Sequence, residues 1–377
     1  MDRRRGFGLY VHWPFCQAKC PYCDFNSHVS STIDHAVWRD ALVSEIRRAA
    51  TETGSRVLDS IFFGGGTPSL MSPETVSDVI DTAREVWAPS NEIEITLEAN
   101  PTSVEASRFR AFADAGVNRV SIGVQSLIDE DLRALGRLHS ANEACAAVKI
   151  AQEIFDRVSF DLIYGRQNQS VQGWREELSA ALRMGADHLS LYQLTIEDNT
   201  AFGDRLKRGK LRGLPDEDLG ADLYDVTQEL TARAGYRSYE VSNHSRPGQE
   251  SRHNMIYWRS GDWVGIGPGA HGRLTLAGER IATESHLQPK TWLESVSALG
   301  SGESIRSVLS GQERTEETLI MGLRLNEGVV LGAWSDEKSK EISRLSEIGL
   351  IETSRGALRT TRSGRLVLNH VLRTLLD

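Results

Sequence analysis

Three of the four cysteines of this chain, Cys16, Cys20 and Cys23, fall within eight residues near its start. They follow an apolar, aromatic-rich run at residues 9–13 that predicts a β-strand. Prolines after that run and inside the cluster break regular structure, so we expect the thiols on a loop just after the strand. Thiols this close together can converge on one metal centre, and thiolates are the usual ligands of iron–sulfur clusters.

The number of nearby thiols limits the kind of centre. A [4Fe–4S] cluster normally takes four thiolates, whereas the loop offers three, and Cys145 lies far away in what we read as a buried helix face. A cluster held by three cysteines leaves one iron open to a small molecule. Zinc is the alternative, but it typically uses two spaced ligand pairs. No second pair follows here, although His12 or His28 could complete a site. A disulfide framework is weaker still in a long chain with few cysteines.

Composition narrows the class of protein. The 377 residues suffice for one large domain plus a small one, and 40% hydrophobic and 25% charged residues are typical of a soluble globular protein. The formal net charge of −9 argues against a nucleic-acid binder. No apolar run reaches the length of a membrane span. We expect a cytoplasmic protein, where thiols stay reduced; association with a membrane surface through a partner is left open.

Strand and helix patterns alternate along the first part of the chain. After the strand at 9–13, buried strand patterns occur at residues 57–63, 92–98, 119–125, 158–165 and 188–197. Polar or glycine-rich positions mark the C-terminal ends of these strands, namely the cysteine loop, residues 64–67, Glu98, Gln125, Asp161 and Thr195. Six such strands imply parallel β/α units, whose functional site lies at the C-terminal strand ends. We therefore predict an α/β fold, with a partial (β/α)6 TIM-type barrel over residues 1–240.

The rest of the chain has a different pattern. Residues 241–288 are interpreted as a glycine-rich connecting segment, with a turn at 265–272 that has too many glycines for a helix or a central strand. A hairpin is predicted at 274–283. Residues 289–377 are predicted to form a small, mainly helical domain with a winged-helix-like order of elements. Because that fold has no obligatory function and the chain is acidic, we favour a lid or interaction module over DNA binding.

Several motifs together resemble one protein family. The spacing C-x3-C-x2-C is accompanied by Phe-Gly-Gly-Gly-Thr-Pro at 63–68, Leu-Glu-Ala-Asn-Pro at 97–101, Ser-Ile-Gly-Val-Gln-Ser at 121–126, Gly-Arg-Leu-His at 136–139 and Asp-Leu-Ile-Tyr-Gly at 161–165. With them, the chain resembles the radical S-adenosylmethionine (SAM) superfamily, in the group of oxygen-independent coproporphyrinogen III oxidase and its haem-chaperone relatives. Residues 166–170 depart from the proline-containing turn usual in the group.

The resemblance implies a set of site residues. Cys16, Cys20 and Cys23 would bind the [4Fe–4S] cluster, with SAM on the open iron. Residues implied to contact SAM are Tyr10, Gly65 and Glu98, the last accepting hydrogen bonds from the ribose. Positions that in the oxidase contact a second SAM are matched by Tyr22, Gly66, Thr67, Gln125, Arg137 and Asp161.

Two features distinguish the branches of the group. Phe25 stands where the oxidase has a further cysteine. Residues 253–258 match the H-N-x-x-Y-W motif of the chaperone branch, which is linked to haem binding. An imidazole can ligate haem iron, so His253 is a candidate haem ligand with two aromatic neighbours for the porphyrin. The alternative is that His253 forms hydrogen bonds while the aromatics fill a core.

Three functions follow from these observations. The first is a haem chaperone that binds haem as cargo and delivers it to haem-receiving respiratory proteins, with cluster and SAM assisting handover or dimerisation. The second is an oxidase of porphyrin biosynthesis that decarboxylates coproporphyrinogen III by radical SAM chemistry. The third is a zinc-stabilised binding protein. Phe25 and the His253 motif favour the first; no catalytic residue is assigned, and SAM cleavage and a homodimer stay undecided.

Overall fold

The computed structural model describes residues 5–30, 32–330, 336–354 and 356–376, and the outer limits of the predicted domains, residues 1 and 377, lie outside them. The strands are β1 (Phe7–Trp13), β2 (Phe15–Cys16), β3 (His28–Val29), β4 (Val57–Gly65), β5 (Ala88–Ala99), β6 (Arg119–Gln125), β7 (Arg157–Tyr164), β8 (His188–Gln193), β9 (Arg237–Ser238), β10 (Asn243–Ser245), β11 (Asp262–Ile266), β12 (His271–Leu276), β13 (Glu279–Ser285), β14 (Glu303–Val308), β15 (Val329–Val330), β16 (Ile351–Ser354) and β17 (Ala357–Thr360).

The helices are α1 (His35–Thr53), α2 (Pro73–Val86), α3 (Ser103–Ala106), α4 (Phe109–Asp114), α5 (Asp129–Ala134), α6 (Ala141–Ile154), α7 (Val171–Arg183), α8 (Ala201–Lys207), α9 (Glu217–Arg233), α10 (Arg252–Trp258), α11 (Pro289–Leu299), α12 (Gly311–Gly322), α13 (Asp336–Glu347), α14 (Arg362–Leu366) and α15 (Leu368–Leu376). Their starts follow local chemistry. Ser72 caps α2 by accepting a hydrogen bond from the Thr75 amide, and Pro73 fills the first helical position.

Six parallel strands form the centre of the main sheet. β1, β4, β5, β6, β7 and β8 pair in that order, with helices in the connections, so the predicted β/α units are confirmed. Leu9, Ile61 and Val120 on these strands are fully buried, as expected where helices cover one face of a parallel sheet and side chains fill the other. The sheet is a partial (β/α)6 barrel to which further strands are added at both edges.

The segment at 241–288 contributes strands to this sheet in addition to connecting its parts. β11 pairs in parallel with β1, and β12, β13 and β14 extend the sheet outward. Gly265, predicted in a turn, lies inside β11. A Cβ atom there would come 2.1 Å from the His271 carbonyl oxygen, so this glycine permits close backbone contact. The predicted hairpin at 274–283 is confirmed by β12 and β13.

A second hydrophobic core lies in the C-terminal part of the chain. Leu319, Leu358 and Val371 belong to it, and α12, α13 and α15 surround the small sheet β15–β17–β16. This arrangement confirms the predicted helical, winged-helix-like unit. α11 packs on the barrel instead, where Trp292 stacks on Trp38 with ring centroids 5.5 Å apart. The domain limits stay predictions, and this packing favours a boundary after Val308 rather than at residue 289.

Two further findings concern predictions from the sequence. Cys145 is exposed on α6, whereas we predicted a buried position. The buried face of that helix is formed by Ala144, Ala147, Val148 and Ala151 instead. None of the helices in the described ranges combines the length and apolarity needed to span a membrane.

Candidate functional site

The cysteine loop is fixed to the C-terminal end of the barrel. Cys16 lies in β2, which is held in place by its pairing with β3. The Thr67 hydroxyl donates a hydrogen bond to the Cys16 Sγ at 3.4 Å. The Cys23 amide donates to the Cys20 carbonyl at 3.1 Å, which closes a tight turn between these two thiols. Burial raises the pKa of the Cys16 and Cys23 thiols, so metal binding there would release protons.

All three thiols line one pocket. Within the described ranges, no three His, Cys, Asp or Glu side chains are grouped closely enough to hold a single metal ion. In an iron–sulfur cluster each thiolate binds its own iron, so the three sulfur atoms need not surround a single point. The presence of Cys16, Cys20 and Cys23 in the lining of one pocket fits such a cluster.

The glycine loop at the end of β4 lines the same pocket. Gly65 has φ of +107°, and a Cβ atom there would lie 2.6 Å from the His12 ring, so only glycine fits. The Gly66 amide donates to the Trp13 carbonyl at 2.7 Å, and the Thr67 amide donates to the Phe15 carbonyl at 2.8 Å. The loop is thereby tied to the strand that leads into the cysteines.

Two carboxyl groups lie deep in the pocket. Burial, together with the charge of Asp161, raises the pKa of Glu98 to about 8. Burial also raises the pKa of Asp161 to about 6, although a hydrogen bond from Ser190 opposes this shift. The Glu98 side chain is partly exposed to the pocket, where it can accept hydrogen bonds from hydroxyl groups of a ligand.

Arg137 and Gln125 give further signs of a ligand site. The Arg137 guanidinium donates to the Cys20 Sγ at 3.3 Å and to the Gly123 carbonyl at 3.0 Å, while its buried Nε has no hydrogen-bond partner. Gln125 has φ of +68°, a strained conformation for a residue other than glycine. Backbone strain clusters at binding and active sites, and a buried donor without a partner is explained where a ligand supplies the acceptor.

The pocket brings together most of the predicted site residues. Those lining it are Cys16, Cys20, Tyr22, Cys23, Gly65, Gly66, Thr67, Glu98, Gln125, Arg137 and Asp161. Tyr10 lies beside them, with a hydrogen bond of 3.0 Å between its hydroxyl and the His12 Nδ1. The donor set fits a thiolate-bound cluster with a polar organic ligand. Asn100, which accepts a hydrogen bond from Arg137, was missed as a site residue although its Asn-Pro motif was noted.

His253 lies outside this pocket. It is 1% exposed on α10, its Nδ1 is 2.7 Å from the Ser60 hydroxyl, and its Nε2 is 2.7 Å from the Tyr257 hydroxyl. Its ring stacks on Phe62, and burial lowers its pKa to about 3. The imidazole is therefore neutral, with both nitrogens engaged. This is the hydrogen-bonding and packing role that we kept as the alternative; ligation of haem iron by His253 stays a prediction.

A buried glutamate anchors the helix that carries His253. The Glu94 carboxylate accepts hydrogen bonds from the amides of Arg252 and His253 at 3.1 and 3.2 Å, and Arg157 donates to it at 2.6 Å. An acidic group suits the amides of the first turn of a helix. We did not single out Glu94 from the sequence, because the alternating polarity of its strand gave no sign that it is buried.

Comparison with known proteins places this chain in a family. Residues 10–181 match the profile described as Radical SAM superfamily, and residues 309–367 match the HemN C-terminal domain. The Radical S-adenosyl methionine domain-containing protein 1, mitochondrial, of Bos taurus is 42% identical over 98% of this chain and 87% of its own length. Heme chaperone HemW of Mycobacterium tuberculosis H37Rv is 35% identical over 98% of this chain and 95% of its own length. This chain belongs to the HemN-like group of the radical SAM superfamily, which includes HemW.

A solved structure and a further relative agree with this assignment. Coproporphyrinogen III oxidase (HemN) from Escherichia coli superimposes with a TM-score of 0.81 over 98% of this chain and 90% of the oxidase, at 23% identity. Heme chaperone HemW of E. coli K12 is 42% identical over 72% of this chain and 71% of its own length. Membership of the radical SAM superfamily implies that the protein carries SAM and a [4Fe–4S] cluster.

Proposed function

We propose that this radical SAM protein is a haem chaperone. It binds haem as cargo, holds a SAM-liganded [4Fe–4S] cluster, and delivers haem to haem-dependent proteins, respiratory enzymes among them. The observation that carries the proposal is similarity over nearly the whole chain to relatives named heme chaperone HemW. The likeness to the oxidase HemN, at 23% identity, supports a shared fold only.

In this proposal the pocket at the barrel end holds the cluster and SAM. Cys16, Cys20 and Cys23 bind the cluster, and a SAM-liganded cluster supplies one-electron chemistry when bound. Glu98 accepts hydrogen bonds from the SAM ribose, and Gly65 lets the backbone approach the ligand closely. Tyr10, which is hydrogen-bonded to His12 beside the pocket, would contact the same SAM.

A second SAM molecule is proposed at the outer part of the pocket. Its contacts are Tyr22, Gly66, Thr67, Gln125, Arg137 and Asp161, which line the same cavity. The unpaired Nε of Arg137 supports contact with the carboxylate group of a ligand there. Equilibrium dialysis of the reconstituted protein against SAM counts the molecules bound; a stoichiometry of one contradicts the second site.

Phe25 supports the chaperone over the oxidase. Its side chain is 57% exposed at the pocket rim, where the oxidase has a further cysteine. A phenyl ring does not serve as a cluster ligand, so this rim offers an apolar contact surface in place of a thiol.

We propose that haem-receiving proteins dock near this end of the barrel. We also propose that the protein works in a compartment where thiols stay reduced, and that it can form a homodimer.

The deciding experiment measures haem binding and turnover on one sample. Anaerobically reconstituted protein is titrated with haem by visible absorption, and the same preparation is assayed with coproporphyrinogen III. Stable haem binding without turnover supports the chaperone. Turnover without haem binding overturns it in favour of the oxidase.

The role of His253 is tested separately. His253→Ala is titrated with haem beside Ser60→Ala, which removes a buried partner of the same imidazole while leaving the ring in place. Loss of haem binding in His253→Ala alone supports ligation by His253. Equal titrations of wild type and both variants contradict it.

A further inference from the structure

The outward face of α10 borders a groove to which the sequence analysis assigned no role. It lies at the N-terminal end of the barrel, between α9, α10 and residues 325–327 of the C-terminal unit, and has a volume of about 900 Å³. Ligand pockets commonly measure about 300–1,000 Å³. We name it the basal groove and define it by Arg5, Arg237, Tyr239, Arg252, Met255 and Leu325.

The basal groove is locally basic in an acidic protein. Five arginines line it against three acidic residues, whereas the whole chain has a net charge of −9. Arg252 is paired with Glu92 at 2.5 Å, and Arg259 is paired with Glu327. Within the described part of the chain, the exposed guanidinium groups of Arg5 and Arg237 have no acidic partner. Two unpaired guanidinium groups beside one cavity suit a ligand with two carboxylates.

The inner surface of the groove is apolar and aromatic. Tyr236, Tyr239, Ile256 and Leu325 are buried side chains that line it. This combination of a flat apolar wall and a cationic rim complements a planar apolar ring that carries two acid groups, which is the chemistry of a porphyrin dicarboxylate such as haem.

One side chain in the groove is suited to contact iron. The Tyr236 hydroxyl donates to the Ala186 carbonyl, and the Tyr239 hydroxyl is 2.8 Å from the His188 Nε2, so both phenols are engaged. The Met255 side chain is partly exposed in the groove, and a thioether is an established haem ligand. Two positions apart on α10, Met255 and His253 point to different sides of the helix.

We propose that the basal groove binds haem in the structure described above. The propionates pair with Arg5 and Arg237, the ring lies on the apolar wall, and the Met255 thioether contacts the iron. The inference rests on the proposed function and gives it a site. It accounts for cargo binding without opening the barrel interior, where both nitrogens of His253 are occupied.

The carboxylate contacts are tested with a double variant of the full-length protein. Arg5→Ala combined with Arg237→Ala should weaken haem binding about tenfold or more, because two charge-assisted pairs are lost. The control combines Arg208→Ala with Arg212→Ala, two exposed arginines outside the groove, and should titrate as wild type. Haem dimethyl ester, in which both carboxylates are masked, should bind wild type as weakly as haem binds the double variant.

The outcomes separate this inference from the proposed function. If the wild type binds haem and the Arg5/Arg237 variant binds equally well, the groove assignment is wrong while the chaperone stands. If the wild type binds no haem, the proposed function itself fails. Met255→Leu keeps the size and apolarity of the side chain, so it should change the Soret spectrum of the bound haem; an unchanged spectrum overturns the thioether contact.

Discussion

Glu98 and Asp161 show how one pocket can shift the ionisation of two acids. Both carboxyl groups lie deep in the barrel, and the pKa of each is raised mainly because it is buried. For Glu98, the neighbouring charge of Asp161 raises the pKa further. A ligand that donates hydrogen bonds to Glu98 would stabilise its charged form and reverse part of the shift.

We predict a pH-dependent stability that arises from Glu98. The unfolded chain ionises this carboxyl near its ordinary pKa of 4.5, whereas the folded ligand-free protein keeps the proton to about pH 8. Between those values the folded state binds more protons, so the free energy of unfolding falls as pH rises. The variant Glu98→Gln should lack this contribution to the decrease in the free energy of unfolding. The melting temperature of the variant should therefore exceed that of the wild type by an amount that grows from pH 5 to pH 8.

The control for this profile is Glu279→Gln, a change at an exposed position on β13. Its melting temperature should follow that of the wild type at every pH. Parallel profiles for wild type and Glu98→Gln would show that the carboxyl does not hold its proton in the folded state.

Arg166 illustrates a residue whose role the sequence concealed. It begins the stretch that departs from the family pattern, and the guanidinium is buried between Glu177 and Asp131. Glu177 also accepts hydrogen bonds from the Ser126 hydroxyl and the Leu127 amide, directly after the strained Gln125. The network thus supports the loop that holds Gln125 in the pocket.

We expect Arg166→Met to destabilise the protein by about 3–5 kcal/mol, because the variant leaves the Glu177 carboxylate buried without its cation. Urea unfolding measures this change. Adding Glu177→Gln should restore part of the loss, because the uncompensated charge is removed. The matched control, Arg175→Met, removes a partly exposed cation from α7, the helix of Glu177, and should have a much smaller effect.

Among elements, α10 depends on a long-range anchor. Its N-terminal amides are bound by Glu94, which lies 158 residues earlier on β5. Arg157 on β7 compensates the charge of that carboxylate. The orientation of the helix, with His253 inward and Met255 toward the basal groove, is therefore fixed by the barrel sheet as well as by its own sequence.

We predict that Glu94→Ala frees this helix locally. Hydrogen exchange of the Arg252 and His253 amides should speed up strongly, because their buried acceptor is lost. Mass spectrometry of peptides that cover α10 measures the effect. Glu92→Gln, an exposed change on the same strand, serves as control; equal exchange in the two variants would contradict the anchoring role.

The elements that the sequence predicted are those with strong local signals. The six β/α units follow from alternating patterns, and Cys16, Gly65 and Glu98 reach one pocket because parallel strands end at the same edge. β11 was missed because Gly265 suggested a turn, although it serves a close contact with His271 that only the folded chain contains. The burial of Glu94 and the ion pairs of Arg166 likewise depend on distant residues.

On the scale of the whole molecule, two cores are joined by a polar seam. The Arg324 guanidinium donates to Glu240 at 3.0 Å, and the Asn326 amide donates to the Tyr239 carbonyl at 3.1 Å. Val241 also packs against the C-terminal core across this seam. Such interfaces permit one unit to open while the other stays folded.

We predict that Leu358→Ala destabilises the C-terminal unit selectively. Leu358 is fully buried in the second core, and removal of its side chain should cost about 2–5 kcal/mol. Hydrogen exchange should rise in α12 and α15 while β1 and β4 keep wild-type protection. Leu366→Ala, at an exposed position of the same unit, is the control; equal destabilisation of the barrel strands would show that the two cores unfold together.

The pairing of β1 with β11 has a consequence for biosynthesis. Leu9 lies opposite Val264, so a strand made early waits for a partner 255 residues later. At about 5–20 residues per second, the ribosome needs roughly 13–50 s to reach it. The Asn26 side chain beside the cysteines likewise bonds the Pro268 and Leu287 carbonyls. The surroundings that the thiols have in the folded protein are therefore complete only once most of the chain has been translated.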